Sequence, residues 1–161
     1  MKPARLAKLI KERDPDRSRL RAMADFAGVH GRIVANAYAG RPVSADAYLR
    51  ICGAFGLDPV AGAAVAPHKV GALEWGAVRL GFVLRRALNR QSLRAAAVRS
   101  GMSLPAVYRV ENAEPVSPLN YLRACKYIGV PPWGYCRDTA FEMSHVKAAA
   151  KQRGKDRAKA A

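Results

Sequence analysis

Acidic side chains are scarce in this sequence: twelve Asp and Glu stand against 28 Lys and Arg, a formal net charge of +16 over 161 residues. So one-sided a balance draws in polyanions, meaning nucleic acid or an anionic membrane surface. Long apolar runs are missing too, and no stretch reaches the roughly 20 residues that a bilayer-spanning helix needs. The opening segment, "MKPARLAKLIKERDPDRSR", carries charges every few residues and no apolar signal core, so export is not expected. Cysteines number only three, with no C-x-x-C pair, which suits reduced thiols in a cytoplasm better than a disulfide framework. His30, His68, His145 and the cysteines lack any metal-ligand spacing. Nucleophile elbow, phosphate-cradling glycine loop and zinc-protease pattern are all absent, so neither an enzyme nor a cofactor is expected.

What the sequence does have is an internal repeat. "PVSADAYLRICGAFGLDP" (42–59) and "PVSPLNYLRACKYIGVPP" (115–132) lie 73 residues apart and agree at nine of eighteen positions. The same offset aligns Leu20-Arg21-Ala22 with Leu93-Arg94-Ala95, Ala24 with Ala97, and Gly28 with Gly101. One ungapped register across some forty residues identifies two copies of one helical unit.

Each copy reads as five short helices, with no strand pattern in either. In the second, Val78, Phe82, Val83 and Ala87 share one helical face, and "SLRAAAVRS" follows, capped by Ser92 and stopped at Gly101. Ser103 is placed to cap the next helix, with Pro105 tolerated in its first turn. Ser117 then caps a helix with Tyr121, Leu122, Cys125 and Ile128 on one side, ended by Gly129. Ser44, Tyr48, Leu49, Cys52, Phe55 and Gly56 repeat that plan in the first copy. Cys52 and Cys125 are expected to be buried thiols and Cys136 exposed, with Trp75 and Trp133 as packing residues. Tyr48 and Tyr121 are expected to pack while their hydroxyls reach towards phosphate. The resulting boundaries are 1–60 for the first unit, 61–75 for an Ala/Gly-rich linker, 76–136 for the second unit, and 137–161 for a basic tail. Residues 146–161 carry six Lys/Arg against one Asp, and residues 1–22 carry eight against three acids. The apolar face of 1–22 is small for a membrane-surface helix.

The run "SLRAAAVRSGMSLPAVYRVENAEPVSPLNYLRACKYIGV" resembles the Cro/cI-type, or xenobiotic-response-element, helix-turn-helix family. The resemblance rests on Ala97, the turn residue Gly101, Ser103, Val107, Arg109, Val110 and Glu111, followed by Asn112, with Ala113 where that family usually has Gly. The first copy, "AMADFAGVHGRIVANAYAGRP", keeps Ala24, Gly28 and Gly40 but has Asn36 in place of Arg109 and Tyr38 in place of Glu111. The resemblance implies an all-α fold of two tandem lambda-repressor-like five-helix helix-turn-helix domains, joined by a short linker and followed by the basic tail.

Residues 103–112 would then be a recognition helix, with Ala106, Val107 and Val110 turned to the core. By resemblance, Ser103, Leu104 and Arg109 occupy base-edge positions, Pro105 shares their exposed side, and Tyr108 and Asn112 lie near phosphates. Ser92 opens the leading helix, whose first-turn N–H groups suit a phosphate. In the first copy the matching positions are His30, Gly31, Arg32, Ala35 and Asn36, with Arg41 just beyond. Arg pairs with guanine and Asn with adenine, so both helices can carry sequence information. Glu111 is expected to form an ion pair at the helix end with an arginine in the first helix of its unit.

These readings point to a cytoplasmic, nucleoid-associated transcriptional regulator of bacterial or phage origin, most simply a repressor that occludes a promoter. Double-stranded DNA is the expected partner, with a homodimer and RNA polymerase as candidate protein contacts and no membrane. Two alternatives stand beside it. One is an antitoxin or anti-activator that binds a protein and DNA only secondarily, and the other is a sequence-neutral nucleoid protein.

Overall fold

The computed structural model describes residues 3–137. Within them the chain is all-α, in the order α1 (Pro3–Arg13), a 3-10 turn (Arg17–Arg19), α2 (Leu20–Ala27), α3 (Gly31–Tyr38), α4 (Ala45–Ala54), α5 (Trp75–Leu88), α6 (Leu93–Ser100), α7 (Leu104–Glu111) and α8 (Pro118–Ile128). The last three helices of each copy begin 73 residues apart, as the repeat requires: Leu20 and Leu93, Gly31 and Leu104, Ala45 and Pro118. Each copy has four α-helices among the described residues, where five are expected from the sequence. After α4 the chain runs through Pro59 and Pro67, and after α8 through Pro131 and Pro132, which break helical hydrogen bonding in the place of a fifth helix. No helix among the described residues is long and apolar enough to cross a membrane.

The caps account for the repeated boundaries. Ser44, Ser92 and Ser117 each accept a hydrogen bond from the backbone N–H three residues on, at 3.2, 3.2 and 3.4 Å. Gly28 and Gly101 close α2 and α6 with φ of 63° and 71°, a left-handed conformation that glycine adopts without steric cost. The following N–H in each returns to the carbonyl of Ala24 or Ala97, at 3.0 and 3.1 Å. Ser103 departs from expectation. It holds the N-cap backbone conformation of α7, but its hydroxyl makes no capping hydrogen bond, which leaves it on the exposed side.

Register slips at the first helix of each copy. Leu6 and Ile10 are buried on α1, while Val78 and Phe82 are buried on α5, pairs spaced by 72 residues (78 − 6 and 82 − 10). The extra residue of the second copy is taken up in the helix: α5 has 14 residues against 11 in α1, and only four residues separate it from α6 where six separate α1 from α2, with Arg90 at φ 50° in the shorter turn.

Tyr48 and Tyr121 correct the expectation that their hydroxyls reach outward. Both side chains are buried, and their hydroxyls donate inward to the carbonyls of Pro59 (2.5 Å) and Pro132 (2.6 Å). Each bond pins the chain leaving the fourth helix of its copy. Cys52 and Cys125 are buried one turn further along, as expected. Burial pushes their thiols up to about 12 and about 11. Cys136 is only partly exposed, because it forms an antiparallel bridge with Leu73.

The segment joining the copies packs against them. Val70 and Leu73 are buried, His68 N–H donates to the carbonyl of Gly53 at 3.0 Å, and Leu73 N–H donates to Asp46 Oδ1 at 2.8 Å. A Cβ on Gly53 would sit 2.4 Å from Val70 Cγ2, so only glycine lets this segment lie on α4. The equivalent residue in the second copy is Lys126, which is exposed. Trp133 is buried edge-on against His68, with ring centroids 4.9 Å apart, and Trp75 meets Tyr121 at 5.9 Å. Helices α4 and α8 touch, and the buried residues of both copies form one hydrophobic cluster.

Candidate nucleic-acid interface

The α6–Gly101–α7 unit packs through its small residues. Ala97 is 7% exposed, and Ala106, Val107 and Val110 turn inward as the sequence predicts. Met102, in the turn itself, is also buried. The opposite side of α7 presents Ser103, Pro105, Tyr108, Arg109 and Asn112 to solvent, with Leu104 half-buried. Ser92 is exposed at the start of α6, and Arg90, Arg94 and Arg99 surround that helix with exposed positive charge.

Arg109 is not idle in this arrangement. Its Nε lies 3.5 Å from Glu114 Oε2, and both side chains are more than half exposed. An exposed pair of this kind is worth little and yields readily to a stronger anion. The pair holds the guanidinium beside α7 without anchoring it.

Glu111 has the role expected from the sequence. Arg86 of α5 approaches its carboxylate with Nε 2.5 Å from Oε1, and a second nitrogen stands 3.4 Å from Oε2. Arg79 Nε donates to the Glu111 carbonyl at 2.8 Å, so two arginines of α5 hold the end of α7. Arg86 also donates to the carbonyl of Gln91, whose side-chain oxygen accepts from the Tyr127 hydroxyl at 2.7 Å. These bonds hold the end of α7 from behind.

The first copy reaches a similar fixation with other chemistry. Tyr38, at the place of Glu111, donates to the carbonyl of Pro15 at 3.4 Å, and Lys11 Nζ stands 5.1 Å from its ring centroid. On α3, His30, Gly31 and Arg32 are exposed, whereas Ala35 and Asn36 are half-buried. His30 caps the helix through Nδ1, which accepts from Arg32 N–H at 3.2 Å. Arg41 is exposed beyond the helix.

Arg50 and Arg123 are supporting residues that sequence reasoning did not single out. Arg50 Nη1 donates to the carbonyl of Gly28 at 3.0 Å, and Arg123 Nε would be 3.9 Å from a Cβ on Gly101. Both guanidinium groups therefore stand at the turn between the two helices of a motif. The signal was present, since Arg50 and Arg123 are one of the nine identities between the copies. Among the described residues no group of three His, Cys, Asp or Glu side chains is placed to hold a metal ion.

Comparison with known proteins finds no matching family model, curated protein or solved structure.

Proposed function

We propose that this chain is a sequence-specific double-stranded-DNA-binding transcriptional regulator, acting as a repressor by promoter occlusion. In this reading each copy is a Cro/cI-type helix-turn-helix unit, α7 is the principal reading helix, and α3 reads a second, non-identical half-site. The observation that carries it is the division of α7: Ala106, Val107 and Val110 are buried where the helix packs on α5 and α6, while Ser103, Tyr108, Arg109 and Asn112 stand together in solvent. A helix held from behind by Glu111 and Arg86, in a chain of formal charge +16, suits entry into a major groove. Ser92 and the first N–H groups of α6 suit a flanking phosphate. Exposed arginines on α6 add contacts that carry no sequence information but position the duplex.

The half-buried Asn36 and the engaged Tyr38 favour a second reading for the first copy alone, as a surface that binds a protein. Selection from a pool of random duplexes separates these readings. A regulator of the kind proposed enriches one defined motif, and the motif is longer if α3 also reads bases. A pool that binds without enrichment points to sequence-neutral coating, and a pool that does not bind at all contradicts the proposal.

A further inference from the structure

An open cavity of about 550 Å³ lies between the two copies, where α1 and the α3–α4 loop face the start of α8. Leu6, Val43, Pro118 and Leu119 give it an apolar interior, and the guanidinium-bearing residues Arg5 and Arg41 also line it. No carboxylate lines the cavity. Its size falls within the range of small-molecule sites, about 300–1,000 Å³, which are mostly apolar with a few polar groups to fix orientation. We propose that this cavity binds a small amphipathic carboxylate, its apolar body between Val43 and Leu119 and its anionic head against Arg5 and Arg41.

Charge and shape select that ligand class together. Two cations beside an apolar floor with no acid reject amines, and the apolar floor rejects anions that have no hydrocarbon. Arg5 Nη2 donates to the carbonyl of Ala61 at 2.8 Å, so a carboxylate would meet the other N–H donors of this guanidinium. Arg41 follows α3 directly through Gly40 and belongs to the expected DNA-contacting set, so a bound carboxylate would take Arg41 away from phosphate. This regulatory consequence rests on the DNA-binding reading, while the ligand site itself does not. The ligand would also bridge the α3–α4 loop to α8, and so act on the placement of the two copies.

The test is decanoate binding to the full chain without DNA, followed by NMR of backbone amides, with acetate and decylamine as controls. Decanoate is expected to saturate a single site and shift Val43 and Leu119, while either control binds at least tenfold more weakly. Arg5→Gln with Arg41→Gln should lower affinity tenfold or more, and Leu119→Trp, at a residue 44% exposed, should block the site while the fold is kept. Equal binding of decylamine, or shifts centred instead on the exposed Leu80, Leu84 and Leu88 of α5, would overturn the proposal. The same titration is then made on a duplex complex. Saturating decanoate should weaken duplex binding severalfold in the parent and leave Leu119→Trp unchanged. A duplex affinity that ignores decanoate overturns the regulatory step. Decanoate binding in a chain that selects no duplex would remove the DNA reading and leave the ligand site standing.

Discussion

Arg86 Nε lies 2.5 Å from Glu111 Oε1, which ties the first helix of the second copy to the end of its candidate recognition helix. The two side chains are only 26% and 16% exposed, so water does little to replace either partner when the other is lost. Glu111→Gln keeps the shape and removes the charge. It should lower stability by about 2 kcal/mol, as expected for a hydrogen bond to a charged group in a partly buried setting. Urea denaturation checks this, and an unchanged midpoint would show that the clamp is ornamental.

Ala113 sits at φ 58°, whereas Gly40 takes the equivalent left-handed place in the first copy at φ 74°. A Cβ in that conformation costs about 1–2 kcal/mol. Ala113→Gly should therefore stabilise the chain by about 0.5–1 kcal/mol once the extra freedom of glycine in the unfolded state is deducted. Gly40→Ala should do the reverse. Thermal midpoints of the two variants moving in the same direction would count against this account of the turn.

Gly53 admits the inter-copy segment to α4, and Val70 Cγ2 and the His68 carbonyl leave no room for a side chain. Gly53→Ala should cost about 1–3 kcal/mol through overpacking. Hydrogen exchange is expected to quicken at His68, whose N–H is bonded to the Gly53 carbonyl, more than at the residues of α7. Protection of His68 unaltered by the variant would mean that the segment is held elsewhere.

Alkaline pH should loosen the fold before tyrosine ionisation contributes. The thiols of Cys52 and Cys125 ionise near 9 when unfolded, and burial raises them to about 12 and about 11 in the fold. As pH rises past 9 the unfolded chain releases protons that the folded chain keeps, so stability is lost from there towards pH 11–12 and is unaffected below. Burial shifts the Tyr48 and Tyr121 hydroxyls in the same direction, which steepens the loss above pH 10. The slope of unfolding free energy against pH should shrink in the Cys52→Ala, Cys125→Ala double variant. A slope identical to that of the parent would contradict the assignment.

Much of this architecture was legible because the repeat carries its own punctuation. Ser44 and Ser117, Gly28 and Gly101, and the buried Ala24 and Ala97 specify caps, turns and crossings by local chemistry, and the helix boundaries follow them. The inward face of α7 was readable for the same reason, while on α8 Tyr121 and Cys125 are buried as expected, Leu122 and Ile128 are half-buried, and Ala124 and Tyr127 take the remaining inward places. What escaped depends on contacts between distant parts of the chain. The one-residue slip between α1 and α5 goes with a longer α5 and a shorter connection after it, where the first copy has a 3-10 turn, and helical periodicity alone does not give it. The Ala/Gly composition of the linker has no period from which its contacts could be read, and in the fold Leu73 pairs with Cys136 and Val70 settles over Gly53. The inward hydrogen bonds of Tyr48 and Tyr121 could not be seen from a helix face alone, since their acceptors lie eleven residues on. Of the tail 137–161, all but Arg137 lies outside the described residues.

The central claim is that α7 reads bases, and Arg109 tests it most directly. Its side chain is 63% exposed and its ion pair is with the exposed Glu114, so Arg109→Ala should leave the fold intact. The measurement is fluorescence anisotropy of a selected duplex against single-base variants of that duplex, at fixed salt, for the parent and Arg109→Ala. The variant should lose about 1–3 kcal/mol on the selected duplex and lose discrimination at one base pair, because a paired contact to guanine is worth that much. Equal weakening on every duplex, with discrimination intact at all positions, would make Arg109 a phosphate contact and contradict a base-reading α7.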